Sequence, residues 1–246
     1  LYNRDITSLI EAKDFLEGER VLYPMGHDIV TVTEEEKQSI EQDVPHCAPV
    51  SVIPNAHWLN PPQRGFSARK GLVYLGNFAV NHNQDAVEHF VAKIWPHIQC
   101  RNGRITFHIV GREADLRLAH LASSQIITHG FVEDLQAFLD QFRVFACPMT
   151  YGAGMKGKIG SALSCGLPVV TTAIGAEGFS LEDGENCFIA DEPEEFALKC
   201  LHLHEDPVCW NNYSLKSRMI ISDLCSLKNV SRRLCNFLGR NWSMYN

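Results

Sequence analysis

Residues 144–172 read VFACPMTYGAGMKGKIGSALSCGLPVVTT, and this stretch decides the fold. Val144-Phe145-Ala146-Cys147-Pro148 is an unbroken apolar run of strand length, which predicts a strand buried on both faces. A glycine loop follows, then a helix from about Lys156 to Cys165, stopped by Gly166. Leu167 to Thr172 is β-rich again. Strand, glycine loop, helix and strand in that order make a βαβ unit of a parallel sheet.

The same alternation extends in both directions. Upstream, Leu72–Leu75, Ile105–Val110 and Ile126–Thr128 read as strands, each followed by a glycine within two residues. Between them, helices are expected over Asp85–Ile94, with Pro96 just beyond its end, over Glu113–Leu121 and over Glu133–Gln141, each with an apolar stripe at helical spacing. Downstream, Cys187–Ala190 predicts the last strand. Pro193 opens a helix to about His204, with Glu194 and Glu195 suited to its N-terminal dipole.

The first 58 residues differ. Asp28–Val32 predicts a strand, Thr33 a helix cap and Glu36 the acid of a capping box. The Glu34–Glu36 run reads as a solvated helix start. Pro45 and Pro49 break the chain before Val50–Asn55, and Asn60–Ser67 reads as a linker. A domain boundary is expected there. The chain lacks a starting Met and reads as a piece of a longer one.

Composition narrows the function classes. With 45% apolar and 21% charged residues among 246, the chain is an ordinary globular protein. No apolar run approaches the ~18 residues of a membrane span, and no signal-peptide pattern opens it. A formal charge of −7 argues against nucleic acid as a partner. From Pro207 onward, however, six basic residues face Asp223 alone. That predicts a solvated helical face or a peripheral contact with anionic lipid or a phosphorylated acceptor. Nine scattered cysteines without a C-x-x-C pair predict small buried residues of a reduced, cytoplasmic protein. No metal site is expected among the eleven histidines, and Trp58 and Trp95 read as packing residues.

The chemistry concentrates in the glycine loop. Gly152, Gly154 and Gly157 let backbone N–H groups approach an anion, and Met155 lies between them. The N-terminus of the following helix and Lys156 and Lys158 add positive charge. Together these describe a diphosphate cradle. It is not a P-loop, because Ile159 stands where Ser or Thr is needed. The G-x-G-x-x-G match alone would fit a dinucleotide site, but the next strand ends in Thr171-Thr172 rather than an acid. A loop that only turns the chain would leave two lysines opposing the helix dipole.

Gly152-x-Gly154-Met155-Lys156-Gly157-Lys158, with Ala162–Thr172 and Gly175-Ala176-Glu177-Gly178, resembles the "G-A-G-x-K-x-K … A-x-x-x-G-x-P-V-V-x-T … G-x-E-G" signature of group 1 glycosyltransferases with the GT-B fold. Tyr74–Phe78 with Asn83-x-Asp85-Ala86, Ile109–Arg112 and His129–Val132 resemble other turns of that family. The resemblance implies a Rossmann-like, doubly wound parallel sheet over residues 59–246. Residues 1–58 would be a remnant of a second Rossmann-like, acceptor-side domain, and 226–246 a terminal helix crossing back onto it. If that domain is truncated, an exposed apolar patch is expected near the first 58 residues.

The implied function is retaining, metal-independent transfer of a hexose from a nucleotide-diphosphate sugar to a glycan or lipid-linked acceptor, without a separate cofactor. On the same resemblance Lys156 is the main diphosphate contact and Lys158 its partner. Gly76 and Asn77 line the donor cleft, and Gly130, Phe131 and Val132 border the base. Arg112 meets a phosphate or a surface acid, and Glu177 the sugar or only solvent. His82, in the loop after the first strand, defaults to a polar loop residue. The family's ribose-binding Glu is Ser161 here, and its earlier Glu aligns with Ala153. Those departures keep a non-catalytic or scaffold module as an alternative, and a sugar epimerase on the same fold is a third reading.

Overall fold

The computed structural model describes residues 6–152 and 154–242. It divides into two compact units. The smaller comprises the described residues up to Pro54 together with those from Arg232 onward; the larger is Asn55–Ser231.

The smaller unit begins with helix α1 (Ile6–Leu22), which no capping or glycine signal in the sequence announces. Strand β1 (Ile29–Thr31) and strand β2 (Val50–Val52) pair in parallel, joined through helix α2 (Glu34–Asp43). The Thr33 side chain accepts from the Glu36 N–H at 3.0 Å, as a capping box requires. The Glu36 carboxylate, however, reaches back to the N–H of Val32 rather than of Thr33. Phe15, Val21, Leu22, Met25 and Val30 of this unit are exposed.

The larger unit is built on six parallel strands: β3 (Leu72–Leu75), β4 (Phe107–Val110), β5 (Ile126–His129), β6 (Val144–Cys147), β7 (Val169–Thr171) and β8 (Phe188–Ile189). Their order is β5-β4-β3-β6-β7-β8. From β3 the chain winds outward to β5, returns to β6 and winds the other way. This is the doubly wound arrangement, whose switch point lies between β3 and β6. Leu72 pairs with Phe107 on one side and Val144 on the other, so the carboxyl ends of β3 and β6 open side by side.

The pleat distributes side chains to two faces. Phe107 of β4 packs 4.4 Å, centroid to centroid, from Phe90, which also meets Trp95 and Phe196. Its neighbour His108 contacts Phe142 on the other face. Helix α3 (Asn81–His89) continues through a π turn (Phe90–Ile94) into α4 (Trp95–Arg101). The expected stop at Pro96 is therefore corrected. The wider turn, in which the Trp95 N–H bonds the Phe90 carbonyl, restarts the helix with Pro96 in its first turn, where no N–H is needed.

The expected helix over 113–121 is also broken. Glu113 takes a left-handed conformation, φ 64°, before the short α5 (Ala114–Arg117), and a 3₁₀ turn follows at Ala119–Leu121. Helix α6 (Leu135–Leu139) is shorter than expected because Asp134 caps it, accepting from the Ala137 N–H at 2.9 Å. Helix α7 (Gly157–Ser164) follows the glycine loop, and the short α8 (Ala173–Ala176) follows β7. Helix α9 (Pro193–Glu205) packs on α4. The basic segment forms α10 (Pro207–Ile220), which packs on α7, and α11 (Leu227–Trp242). No helix among the described residues is long and apolar enough to cross a membrane.

Arg69 fastens the linker to the sheet. It is fully buried, pairs with Asp140, and donates to the carbonyls of Arg64 at 2.8 Å and Phe142 at 3.3 Å. The other Asp140 oxygen accepts from the Gln63 N–H at 3.1 Å. Five cysteines (147, 165, 187, 200 and 225) are buried. Burial pushes the Cys147 thiol up to about 11 and Cys187 up to about 12, which leaves them unreactive at neutral pH.

Candidate functional site

Three glycines end three adjacent strands and set the floor of the site. Gly76 follows β3, Gly111 follows β4 and Gly130 follows β5. The Gly76 N–H bonds the Val110 carbonyl at 3.0 Å, and the Gly111 N–H bonds the Gly130 carbonyl at 3.3 Å. Gly111 is obligatory: at φ 132°, a Cβ there would lie 2.0 Å from the Gly76 oxygen.

Above this floor lies a cavity of about 400 Å³, lined by Leu75, Gly76, Asn77, Asn83, Val110, Gly111, Arg112, Phe131, Val132, Leu135, Lys158 and Ser161. It opens at the switch point, where doubly wound sheets bind ligands. Seven residues singled out in the sequence (Gly76, Asn77, Arg112, Phe131, Val132, Lys158 and Ser161) thus meet around one space. Phe131 is 82% exposed, a flat apolar surface at its rim. Gly130 sits behind it, with the Asp115 carboxylate against its Cα face. Arg112 is largely exposed and pairs with Glu113 at 3.5 Å. Ser161 turns its hydroxyl back to the Gly157 carbonyl at 3.1 Å.

The two lysines part company. Lys158 Nζ donates to Tyr74 Oη at 2.8 Å and to Asn83 Oδ1, and lies 4.9 Å from the centre of the Tyr74 ring. Asn83 in turn donates to the Asn77 carbonyl at 2.8 Å, and Tyr74 donates to Asn83 Oδ1 at 3.1 Å. Loss of solvent lowers the Lys158 pKa. Each of these partners is neutral, so among the described residues no acid balances the charge that Lys158 brings to the cavity wall. Tyr74 and Asn83 are the polar side chains at the site that sequence reasoning missed. The available signal was a phenol inside a strand buried on both faces, which must find a polar partner.

Lys156 is buried outside the cavity lining. Its ammonium donates to the Gly154 carbonyl at 2.6 Å and pairs with Glu177 at 3.0 Å. Glu177 is therefore neither a free turn residue nor a wall of the cavity, and the positive charge of Lys156 already has an internal partner. Gly152 and Gly154 both take positive φ, 117° and 74°, as a tight glycine loop requires. Met155 is buried, and Gly157 begins α7, which has no side-chain cap. Ala153 lies outside the described residues.

The sequence expectation for Trp58 is corrected. Trp95 is buried, but Trp58 is 71% exposed. The His57 N–H bonds the Cys225 carbonyl at 2.8 Å, and this extended pairing turns His57 inward against Gly160 and the next side chain outward. Trp58 and His57 line a second concavity of about 260 Å³, which shares Leu135 and Ser161 with the first. No group of three or more His, Cys, Asp or Glu among the described residues is placed to hold a metal ion.

The family model described as Glycosyl transferases group 1 matches residues 69–206, more than half of the chain. A curated relative, an uncharacterised 44.6 kDa protein in the cps region of Klebsiella pneumoniae, is 29% identical over 135 residues, which are 51% of this chain and 35% of that one. Among solved structures, sucrose-phosphate synthase from Thermosynechococcus elongatus superposes with a TM-score of 0.78 at 16% identity, covering 98% of this chain and 63% of that one. TarM, known from S. aureus, gives a TM-score of 0.76 at 18% identity over 92% of this chain and 45% of its own. HepE from Anabaena, in complex with UDP and glucose, gives 0.74 at 16% identity over 91% of this chain and 67% of its own. The chain thus spans about a third of the curated relative and under half of TarM.

Proposed function

This chain belongs to the group 1 glycosyl transferases, and from that premise we propose that Asn55–Ser231 is the donor-binding half of a hexosyltransferase that uses a nucleotide-diphosphate sugar. The observation that carries the proposal is Lys158, an ammonium with only neutral partners, in the wall of a 400 Å³ cavity at the switch point of the sheet. A diphosphate supplies the counter-charge that the protein withholds there. The base packs at the apolar end, against Phe131, Val132 and Leu135, and the ribose lies between Gly76 and Ser161.

In transfer, the bond between the anomeric carbon and the diphosphate oxygen breaks, an acceptor hydroxyl oxygen bonds that carbon and gives its proton to the departing diphosphate, and negative charge grows on that leaving group as the old bond lengthens. Lys158, the uncapped start of α7 and Lys156, once it exchanges Glu177 for phosphate, stabilise that charge. Cations of this kind make a metal ion unnecessary, and the transfer retains anomeric configuration on the family resemblance. The acceptor is a glycan or lipid-linked glycan held by the rest of the enzyme. A relative encoded in a cps region supports surface-polysaccharide synthesis. The Ser161 hydroxyl, turned to its own helix, favours the competing reading of a degenerate binding module.

The test is calorimetric titration with UDP, GDP, ADP and TDP, beside a Lys156→Ala variant. Binding of one diphosphate, weakened in the variant, establishes the donor site and identifies the base. Silence toward all four by a folded chain rejects a competent donor half and leaves the degenerate module.

A further inference from the structure

The donor reading leaves three side chains next to the lysines unused. His82, in the first turn of α3, sits edge-on to Tyr151, with ring centroids 6.2 Å apart and planes at 90°. The Tyr151 hydroxyl donates to Asp85, one turn further along the same helix. Tyr151 stands at the mouth of the glycine loop and is 40% exposed. The His82 imidazole makes no hydrogen bond among the described residues and is only half-buried.

Position gives this cluster its meaning. Lys158 belongs to the cavity wall, and both Lys158 and Lys156 lower the His82 pKa, behind the larger effect of burial. His82 directly precedes Asn83, which accepts from Lys158, so it stands beside that lysine while being outside the cavity lining. A nucleotide sugar is a rod with a flat base, two phosphates and a neutral sugar in sequence. With the phosphates at the lysines and the base at the apolar end, the sugar must emerge on the remaining side. Beside Lys158 and the glycine loop, outside that cavity, the protein offers an imidazole, a phenol and a carboxylate. Asp85 would repel a phosphate but accepts hydrogen bonds from hydroxyls, and a neutral imidazole can both donate and accept one.

We propose that His82 and Tyr151, the latter held by Asp85, form the subsite that reads the hydroxyls of the donor's hexose. The proposal rests on the donor reading above. Tyr151 presents its ring edge and hydroxyl, Asp85 fixes the direction of that hydroxyl, and His82 closes the side facing α3. The sugar's identity is then set by groups of α3 and the glycine loop, apart from those that hold the nucleotide.

The test compares UDP with UDP-glucose, UDP-galactose and UDP-N-acetylglucosamine by titration of the full chain, its Tyr151→Phe variant and its His82→Ala variant. The quantity read is the ratio of sugar-nucleotide to UDP affinity. The wild type is expected to prefer one sugar nucleotide over UDP, and each variant to lose about tenfold of that preference while UDP affinity holds. An unchanged ratio in both variants overturns the proposal. So does an equal loss of UDP and UDP-sugar binding, because it would show that the cluster merely pins the loop. A wild type that ignores UDP and all three sugar nucleotides removes the donor reading itself, a result distinct from either.

Discussion

Replacing Lys158 with Met separates a binding residue from a structural one. The substitution keeps most of the side-chain volume and removes the ammonium from Tyr74 and Asn83. In the empty protein two effects oppose each other. Two charge-assisted hydrogen bonds are lost, each worth about 1.5–3 kcal/mol. Against that, the cost of holding a charge away from water is removed, and burial already lowers the lysine's pKa. Tyr74 can still donate to Asn83, so no buried acceptor is orphaned. Net stability should therefore change by no more than about 1 kcal/mol. Diphosphate affinity has no such offset. Loss of one charge-assisted hydrogen bond costs about 1.5–3 kcal/mol, roughly a 10- to 150-fold weaker Kd for UDP. Calorimetric titration beside a thermal melt reads both quantities. Unchanged UDP affinity, or a drop in Tm of more than about 10 °C, would refute the assignment of Lys158 to the ligand.

Arg69→Met strands Asp140 without its buried partner and should destabilise by about 3–5 kcal/mol in urea unfolding, while adding Asp140→Leu should restore much of the loss. Gly111→Ala drives a Cβ into the Gly76 carbonyl at 2.0 Å and should abolish UDP binding in a chain whose circular dichroism still reports the α/β fold. Acid should weaken the fold through His204, whose Nε2 accepts the Gly71 N–H at 3.2 Å and whose pKa is lowered by burial and Arg143 to about 4. The folded value lies below the unfolded value of 6.5. The stabilisation is thus complete above pH 6.5 and lost as pH falls toward 4, by up to about 3 kcal/mol. His108, lowered to about 4 by burial and by His129, adds a smaller, solvent-screened loss in the same window. Urea midpoints between pH 7.5 and 4.5, for the parent and a His204→Gln variant, check this.

The sheet was legible because its strands are short, continuous apolar runs closed by glycine, a pattern that parallel packing imposes locally. The glycine loop was legible for the same reason, since positive φ at Gly152 and Gly154 restricts the residue types allowed. The restart of the helix at Pro96 was not, because a π turn is fixed by the aromatic packing of Phe90 and Trp95 rather than by the proline. Nor could spacing reveal that Glu177, 21 positions from Lys156, would claim that lysine, or that Tyr74 and Asn83 would hold the other. Local patterns carry the backbone; partners distant in sequence are chosen by the winding of the sheet. Helix α1 escaped because Phe15, Val21 and Leu22, all exposed, do not mark a core-facing stripe.

The Lys156–Glu177 pair makes the loop its own competitor for an anion. An anion arriving at Lys156 displaces a carboxylate already seated at 3.0 Å, so a single negative charge merely exchanges one partner for another. A species that also reached Lys158, which pairs with no acid among the described residues, would collect a second cation in the same event. On the donor reading, the loop would thereby act as a threshold, indifferent to a single negative charge and responsive to charge spread over two neighbouring phosphates.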